Sequence, residues 1–157
     1  IGFFPVEFKY PALLEQGRIW MTVTPNEIAT MKGPIADAFG RVLTFGLGLG
    51  YYAYMVSEKD NVDCVTMVEI NENVIRLFQQ HLLPQFPHAE KIQIIQADAF
   101  EFARTRLAQK AYDYVFTDLW HDVSDGIDLY LRMKQIERQH PKTHFSYWIE
   151  KSIQCYL

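Results

Sequence analysis

From residue 41 onward, short apolar segments alternate with segments that have the length and pattern of helices. We predict five strands in these apolar segments, at residues 42–45, 64–68, 92–95, 112–116 and 145–149. Strands that are apolar along most of their length are typical of a parallel sheet with helices on both faces. Because crossover connections are right-handed, the pattern predicts a doubly wound α/β sheet with strand order 3-2-1-4-5.

The first 40 residues lack this alternation, and we predict two regions: an N-terminal arm with short helices over residues 1–40, and one domain over residues 41–157. Residues 2–5 suggest an extended segment because of their composition, and residues 20–23 are expected to pair with the body or pack on it. No repeat or low-complexity linker indicates a further domain.

A helix start is predicted at Thr24, because Pro25 fits the first helical position and Glu27 stands where a capping box places its carboxylate. Gly33 and Pro34 are expected to end this helix, since an internal proline removes a backbone donor. A second short helix is then predicted up to Phe39.

Composition excludes several classes of protein. With 49% hydrophobic residues among 157, the chain is too apolar for general disorder. A formal net charge of −4 argues against nucleic-acid binding through bulk charge. No apolar run approaches the roughly 18 residues of a membrane span, so no membrane association is expected. Cys64 and Cys155 do not form a disulfide framework, which favours a cytoplasmic location.

A glycine run follows the first predicted strand. Gly46, Gly48 and Gly50 precede a helical segment, where missing side chains let a ligand lie against the backbone. The alternative is a tight strand-to-helix turn without a ligand. The dinucleotide fingerprint requires another glycine three positions after Gly48, and Tyr51 stands there, which disfavours an NAD-binding oxidoreductase.

Carboxylates end the next two predicted strands. Glu69 lies 19 residues beyond Gly50, where an acidic side chain can accept hydrogen bonds from both hydroxyls of a ribose. Asp98 can accept a hydrogen bond from an adenine amino group while the backbone N–H of Ala99 donates to the ring. Asp98 is also a favoured helix N-cap, and both interpretations stay open.

The motifs at residues 42–50, 68–71, 96–99 and 112–118 together resemble the core of class I S-adenosylmethionine-dependent methyltransferases. The segment 69–102 is most similar to the spermidine-synthase-like branch of that superfamily. The resemblance implies a Rossmann-like fold, S-adenosylmethionine as cofactor, and methyl transfer to an unidentified amine or hydroxyl acceptor. The class I core has seven strands, and with five predicted here we expect the last two to be lacking.

The resemblance also implies a role for each matching position. The backbone of the three glycines lines the methionine part of the cofactor, and Asp118 faces the reacting methyl group. By the same resemblance, Glu69 holds the ribose and Ile70 lies against one face of the adenine. Asp98 and Ala99 bind the adenine edge.

The loop after the fourth predicted strand carries the candidate catalytic residues Asp118, His121 and Asp122. Asp118 or His121 can take a proton from the attacking nucleophile, and Trp120 can stack on a planar or cationic substrate. Alternatively, the loop is a lid in which Trp120 packs on the body and Asp122 or Ser124 caps the next helix. These residues lack the tight spacing of metal ligands, and we predict no metal.

Two departures from the family pattern bear on function. Thr44 stands two positions before the first glycine, where the family has an acidic residue, so the partner of the methionine amino group is unassigned. His121 stands where spermidine synthases have a further aspartate, which disfavours aminopropyl transfer. An aminopropyltransferase-like enzyme and a non-catalytic cofactor-binding module remain the alternatives.

Overall fold

The computed structural model describes residues 9–15, 17–109 and 111–157. The described part begins with an antiparallel hairpin of β1 (Ala12–Glu15) and β2 (Arg18–Thr22). Residues 20–22 pair with β1 in this separate two-stranded sheet, whereas residues 20–23 were expected to pair with the body or pack on it. The segment predicted as extended at residues 2–5 lies outside the described residues. Within the described part of the chain, no helix has the length and hydropathy needed to cross a membrane.

Five further strands form one parallel sheet: β3 (Gly40–Phe45), β4 (Val62–Glu69), β5 (Ile92–Gln96), β6 (Tyr114–Thr117) and β7 (His144–Tyr147). Their order is β5-β4-β3-β6-β7, which confirms the predicted order 3-2-1-4-5 counted from β3. The central strand β3 pairs with β4 on one side and β6 on the other. The carboxyl ends of these three strands therefore lie together at one edge of the sheet.

Helices cover both faces of this sheet: α1 (Pro25–Asp37), α2 (Tyr51–Ser57), α3 (Glu72–Leu77), α4 (Ala99–Arg106), α5 (Val123–Glu137) and α6 (Glu150–Gln154). Side chains alternate between the faces along β3. On one face, Leu43 packs with Phe102 of α4 and Met133 of α5. On the other face, Val42 belongs to the cluster that contains Val56 of α2 and Phe78. The doubly wound α/β architecture is thus confirmed.

Helix α1 does not end at Gly33 and Pro34, so the prediction of two short helices is wrong. The ammonium group of Lys59 contacts the carbonyl oxygens of Ile35, Ala36 and Ala38 at 2.6–2.7 Å. These contacts satisfy carbonyl groups at the end of the helix, and a charged donor makes them strong. Tertiary contacts therefore outweigh the local preference of proline.

The apolar spacing over residues 73–83 predicts one helix that ends before Pro84, and the observed helix is shorter. Helix α3 ends at Leu77, and the chain continues as a π-turn over Phe78–Leu82 and a 3₁₀ turn over Leu83–Gln85. Two more 3₁₀ turns occur at Ala89–Lys91 and Leu107–Gln109. Phe78 is buried at the start of the π-turn, where its ring lies against the glycine run.

Candidate functional site

The glycine run forms the turn from β3 to α2, and its backbone requires glycine. Gly46, Gly48 and Gly50 have φ values of 96°, 52° and 76°, in the left-handed region that side chains rarely adopt. A β-carbon on Gly46 would collide with the carbonyl oxygen of Asp118, and one on Gly50 would collide with the ring of Phe78. The glycines therefore bring this turn into direct contact with the end of β6.

Two adjoining cavities open at the carboxyl ends of the strands. The first has a volume of about 270 Å³ and lies beside the glycine turn, and the second has a volume of about 200 Å³ and lies beside the start of α4. Four residues line both cavities: Gly46, Glu69, Ile70 and Leu119. The two cavities are therefore parts of one cleft, which passes over the end of β4.

Glu69 ends β4 at the junction of the two cavities. One carboxylate oxygen accepts a hydrogen bond from the backbone N–H of Leu47 at 3.2 Å, and the other accepts one from the N–H of Asn71 at 2.9 Å. A carboxylate oxygen can accept two hydrogen bonds, so each keeps capacity toward the cleft. Ile70 beside it is 64% exposed and presents an apolar surface to both cavities.

Asp98 and Ala99 lie in the second cavity, at the point where the chain leaves β5 for α4. One oxygen of Asp98 accepts a hydrogen bond from the backbone N–H of Glu101 at 2.8 Å, so Asp98 is the N-cap of α4. The capping interpretation is correct, and it leaves the second carboxylate oxygen for a ligand. The two interpretations of Asp98 are therefore compatible.

Asp118 follows β6 and lines the first cavity. Its backbone N–H donates to the carbonyl of Phe45 at 2.9 Å, which fixes it against the end of β3. Burial, with a smaller contribution from the nearby carboxylate of Glu27, raises the pKa of the Asp118 carboxyl to about 7, and His121 opposes the shift. A carboxyl group with such a pKa can exchange a proton near neutral pH.

Glu27 is a cavity residue that sequence analysis assigned only to a helix cap. It completes the capping box with Thr24, as predicted, and its carboxylate also accepts the hydroxyl of Thr22 at 2.7–2.8 Å. The same carboxylate lines the first cavity and lies close enough to Asp118 to shift its pKa. The local sequence pattern explains Glu27 fully as a capping residue, so nothing in that pattern indicates that its carboxylate also lines the first cavity.

His121 and Asp122, the other candidate catalytic residues, have different positions. His121 lines the first cavity, and its Nδ1 lies 3.0 Å from a carboxylate oxygen of Asp125. Asp122 is exposed, lines neither cavity, and forms the N-cap of α5 through Ser124. Because Asp122 caps a helix outside both cavities, we remove it from the candidate catalytic residues.

Trp120 borders the first cavity but is 5% exposed and packs on the body. Its indole ring stacks on Tyr147, and its N–H donates to the carbonyl of Trp148 at 3.3 Å. The interpretation of Trp120 as a stacking platform is therefore wrong, and the alternative of body packing is correct. Trp148, which sequence analysis did not select, is half-buried in the wall of the first cavity.

Across residues 9–15, 17–109 and 111–157, no group of three histidine, cysteine, aspartate or glutamate side chains is arranged to hold a metal ion. Next to the loop after β6, two such side chains are in contact: Nδ1 of His121 lies 3.0 Å from a carboxylate oxygen of Asp125.

The sheet order, the glycine turn and the carboxylate that ends β4 define a class I methyltransferase-like fold of the Rossmann type. A family model described as the spermine/spermidine synthase domain matches residues 26–135. The chain belongs to this family, and the spermidine-synthase-like resemblance stated from the sequence is confirmed.

Three relatives illustrate the similarity. The chain is 28% identical over 116 residues to a tRNA1(Val) (adenine(37)-N6)-methyltransferase of Mannheimia succiniciproducens, covering 73% of this chain and 46% of the relative. Spermidine synthase from Thermotoga maritima superposes with a TM-score of 0.51 at 18% identity, covering 73% of this chain and 42% of that one. A spermidine synthase in complex with the transition state analogue AdoDATO also gives 0.51, at 19% identity, covering 66% and 37%. The chain spans less than half the length of each.

Proposed function

We propose that this chain binds S-adenosylmethionine and transfers its methyl group to a nitrogen or oxygen nucleophile. The observation that carries the proposal is the single cleft in which Glu69 joins a cavity beside the glycine turn to a cavity beside Asp98. S-adenosylmethionine is divided in the same way, because it consists of an adenosine and a charged methionine arm. The methyltransferase relative and the family of the chain support a cofactor of this class.

The cleft has the donors and acceptors that this cofactor needs. Adenine is assigned to the second cavity, with Ile70 on one face and Asp98 and Ala99 at its edge. The ribose hydroxyls are assigned to Glu69, whose oxygens each keep a lone pair. The methionine part is assigned to the first cavity, where the glycine turn leaves room against the backbone.

The reaction needs an acceptor in line with the methyl carbon and a group that takes the acceptor's proton. When bound, S-adenosylmethionine supplies an electrophilic methyl group on a sulfonium and leaves as a neutral thioether. Asp118 lies at the end of β6 beside the glycine turn, and a carboxyl pKa of about 7 suits it to accept the proton. His121, in the same cavity, is the second candidate for this transfer.

The acceptor is proposed to be a small polar molecule. The described residues that line the first cavity include no lysine or arginine, and the net charge of the chain is −4, which disfavours a nucleic-acid substrate.

A cytoplasmic location is part of the same proposal, and the two free cysteines, Cys64 and Cys155, support it.

Aminopropyl transfer is the second candidate, and the spermine/spermidine synthase family favours it. The two reactions start from related donors and leave different nucleosides: methyl transfer leaves S-adenosylhomocysteine, and aminopropyl transfer from the decarboxylated donor leaves methylthioadenosine. His121, which replaces an expected aspartate in the loop after β6, favours methyl transfer.

The test supplies S-adenosylmethionine and its decarboxylated form in separate reactions with the same panel of small amines and alcohols, and mass spectrometry identifies the nucleoside product. We expect S-adenosylhomocysteine in the first reaction and a strong decrease of it in Asp118→Asn. Methylthioadenosine from the second reaction alone would establish the aminopropyl alternative. Binding of both donors without any acceptor-dependent product would favour a non-catalytic module.

A further inference from the structure

Asp125 attaches the loop after β6 to the first turn of α5. The backbone N–H of His121 donates to both oxygens of its carboxylate at 3.1 Å, and the N–H of Asp122 donates to one of them at 2.9 Å. Asp125 thereby completes the capping box of α5, where an acidic side chain is also favoured by the helix dipole. The backbone that carries His121 is therefore held by this side chain.

The same carboxylate contacts the ring of His121. Nδ1 of the ring lies 3.0 Å from Oδ2 of Asp125, within hydrogen-bond distance. Partial burial raises the pKa of Asp125, but hydrogen bonds from the backbone of Asp122 and from His121 outweigh burial and lower the pKa below the ordinary value of an aspartate. Asp125 is thus ionised at neutral pH and can only accept, so Nδ1 must carry the hydrogen of this contact.

This contact determines which ring nitrogen of His121 can take a proton. A neutral imidazole has one N–H group, so a hydrogen on Nδ1 makes Nε2 the acceptor. His121 lines the first cavity together with Asp118, beside the glycine turn. When Nε2 takes a proton the ring becomes a cation, and the charges of Asp118 and Asp125 both favour that cation.

We propose that Asp125 is a positioning residue that holds the imidazole of His121 in the Nδ1–H form, with Nε2 as the proton acceptor in methyl transfer. The part that concerns methyl transfer rests on the proposed function, whereas the form of the ring does not. As the nitrogen or oxygen of the acceptor bonds to the methyl carbon and the carbon–sulfur bond breaks toward sulfur, Nε2 takes the acceptor's proton. Asp125 then stabilises the imidazolium.

A second histidine–carboxylate contact provides a matched control. Nδ1 of His88 lies 3.2 Å from a carboxylate oxygen of Glu90, and neither residue lines the two cavities. The carboxylate of Asp125 differs because it holds both the ring and the backbone of a cavity residue. Glu90→Ala therefore removes a similar contact without affecting the cleft.

The first test determines the form of the His121 ring without any ligand. Long-range proton–nitrogen NMR spectra of the nitrogen-labelled protein distinguish a protonated ring nitrogen from an unprotonated one, and His121→Gln assigns the signals. At about pH 9, where ordinary imidazoles are neutral, we expect Nδ1 to be protonated in wild type and in Glu90→Ala. In Asp125→Ala we expect a mixture of both forms. Asp122 still caps α5 in that variant, which circular dichroism checks.

The second test uses two acceptors that differ in whether they lose a proton. Aniline must release a proton when it is methylated, and N,N-dimethylaniline has none to release. With S-adenosylmethionine as donor, we expect Asp125→Ala to lower kcat for aniline about tenfold to a hundredfold, as part of the contribution of a general base. The variant should leave kcat for N,N-dimethylaniline and KM for S-adenosylmethionine unchanged. Glu90→Ala should change none of these values.

Two results of the NMR test would overturn the proposal: a ring of His121 protonated on Nε2 in wild type, or the same Nδ1–H ring in wild type and Asp125→Ala. An equal loss of kcat for both acceptors would also overturn it, because Asp125 would then only support the loop. If wild type methylates neither these two compounds nor any other amine or alcohol, the proposed function fails, and the form of the His121 ring alone decides the role of Asp125.

Discussion

Single residues at the ends of strands carry most of the chemistry of the cleft, and Glu69 carries the clearest part. Its carboxylate is held by two backbone N–H groups, so its orientation toward the ribose position is fixed before any ligand binds.

Glu69→Ala should therefore weaken binding of S-adenosylhomocysteine, because the ribose hydroxyls lose a charged acceptor. Such hydrogen bonds contribute about 1.5–3 kcal/mol, which corresponds to a rise of roughly tenfold to a hundredfold in Kd. Calorimetric titration measures the change, with the exposed Glu72→Ala as control. Equal affinity in Glu69→Ala and wild type would remove Glu69 from the site.

Asp118 has a second consequence, for stability. Its pKa is raised by burial to about 7, so the folded protein holds a proton that the unfolded chain releases from about pH 4 upward. The carboxyl therefore costs stability as the pH rises through that window, and the cost levels off above pH 7.

Asp118→Asn removes this cost. We expect the variant to gain stability relative to wild type by about 1 kcal/mol per pH unit between pH 5 and pH 7. Urea unfolding at pH 5, 6, 7 and 8 measures the difference. A difference that stays constant across this range would show that the Asp118 carboxyl titrates at its ordinary pKa.

The residues that sequence patterns identified are those whose neighbours along the chain define them. Glu69 ends β4 and Asp98 follows β5, and both line the cleft. Glu27 and Trp148 were missed as cavity residues because they reach the cleft only through tertiary packing. Asp122 was misassigned because an N-cap and a catalytic carboxylate at a strand end have the same local sequence.

At the scale of elements, the turn between β3 and α2 determines the shape of the first cavity. Gly46 lies directly against the carbonyl oxygen of Asp118, so the two strand ends touch. Gly33 in α1 is the opposite case, with open space around the position of a β-carbon.

Gly46→Ala should reduce the free energy of unfolding by on the order of 2–5 kcal/mol. Alanine disfavours the left-handed backbone conformation of this residue, and its β-carbon would collide with the carbonyl oxygen of Asp118. Gly33→Ala is the matched control and should stabilise the protein by about 0.5–1 kcal/mol, because alanine favours a helix interior. Urea denaturation of both variants tests the pair. Equal effects of the two substitutions would contradict the description of the turn.

Local sequence rules failed where tertiary contacts override them. Pro34 was expected to end α1, yet the helix continues to Asp37 with Lys59 bound to its last carbonyls. Lys59 lies in the segment that follows α2, so no residue near Pro34 in the sequence indicates these contacts. The β3, β4 and β5 strands, by contrast, were predicted close to their observed limits because apolar runs and turn residues bound them.

For the whole molecule, the order of the five parallel strands followed from the alternation of strands and helices and the right-handed connections between them. The joined cavities did not follow from it, because they depend on where α1 and the loop after β6 pack over the strand ends.

The residues that line this cleft come from α1, from the ends of β3, β4 and β6, from the start of α4 and from the segment after β7, so ligand binding should stabilise the whole fold. At a concentration one hundred times its Kd, S-adenosylhomocysteine should add about 2.7 kcal/mol to the stability of the folded state. Thermal denaturation with increasing ligand measures this as a rising Tm. A Tm that does not depend on the ligand would mean that the cleft is not its site.

The cleft is proposed to bind an adenosine with a sulfonium-bearing amino acid arm. Calorimetric titration of wild type with S-adenosylmethionine, and separately with NAD, tests it most directly. We predict saturable binding of one S-adenosylmethionine per chain and no measurable binding of NAD, since Tyr51 stands where the dinucleotide turn requires glycine. Absence of S-adenosylmethionine binding, or tighter binding of NAD, would contradict the account.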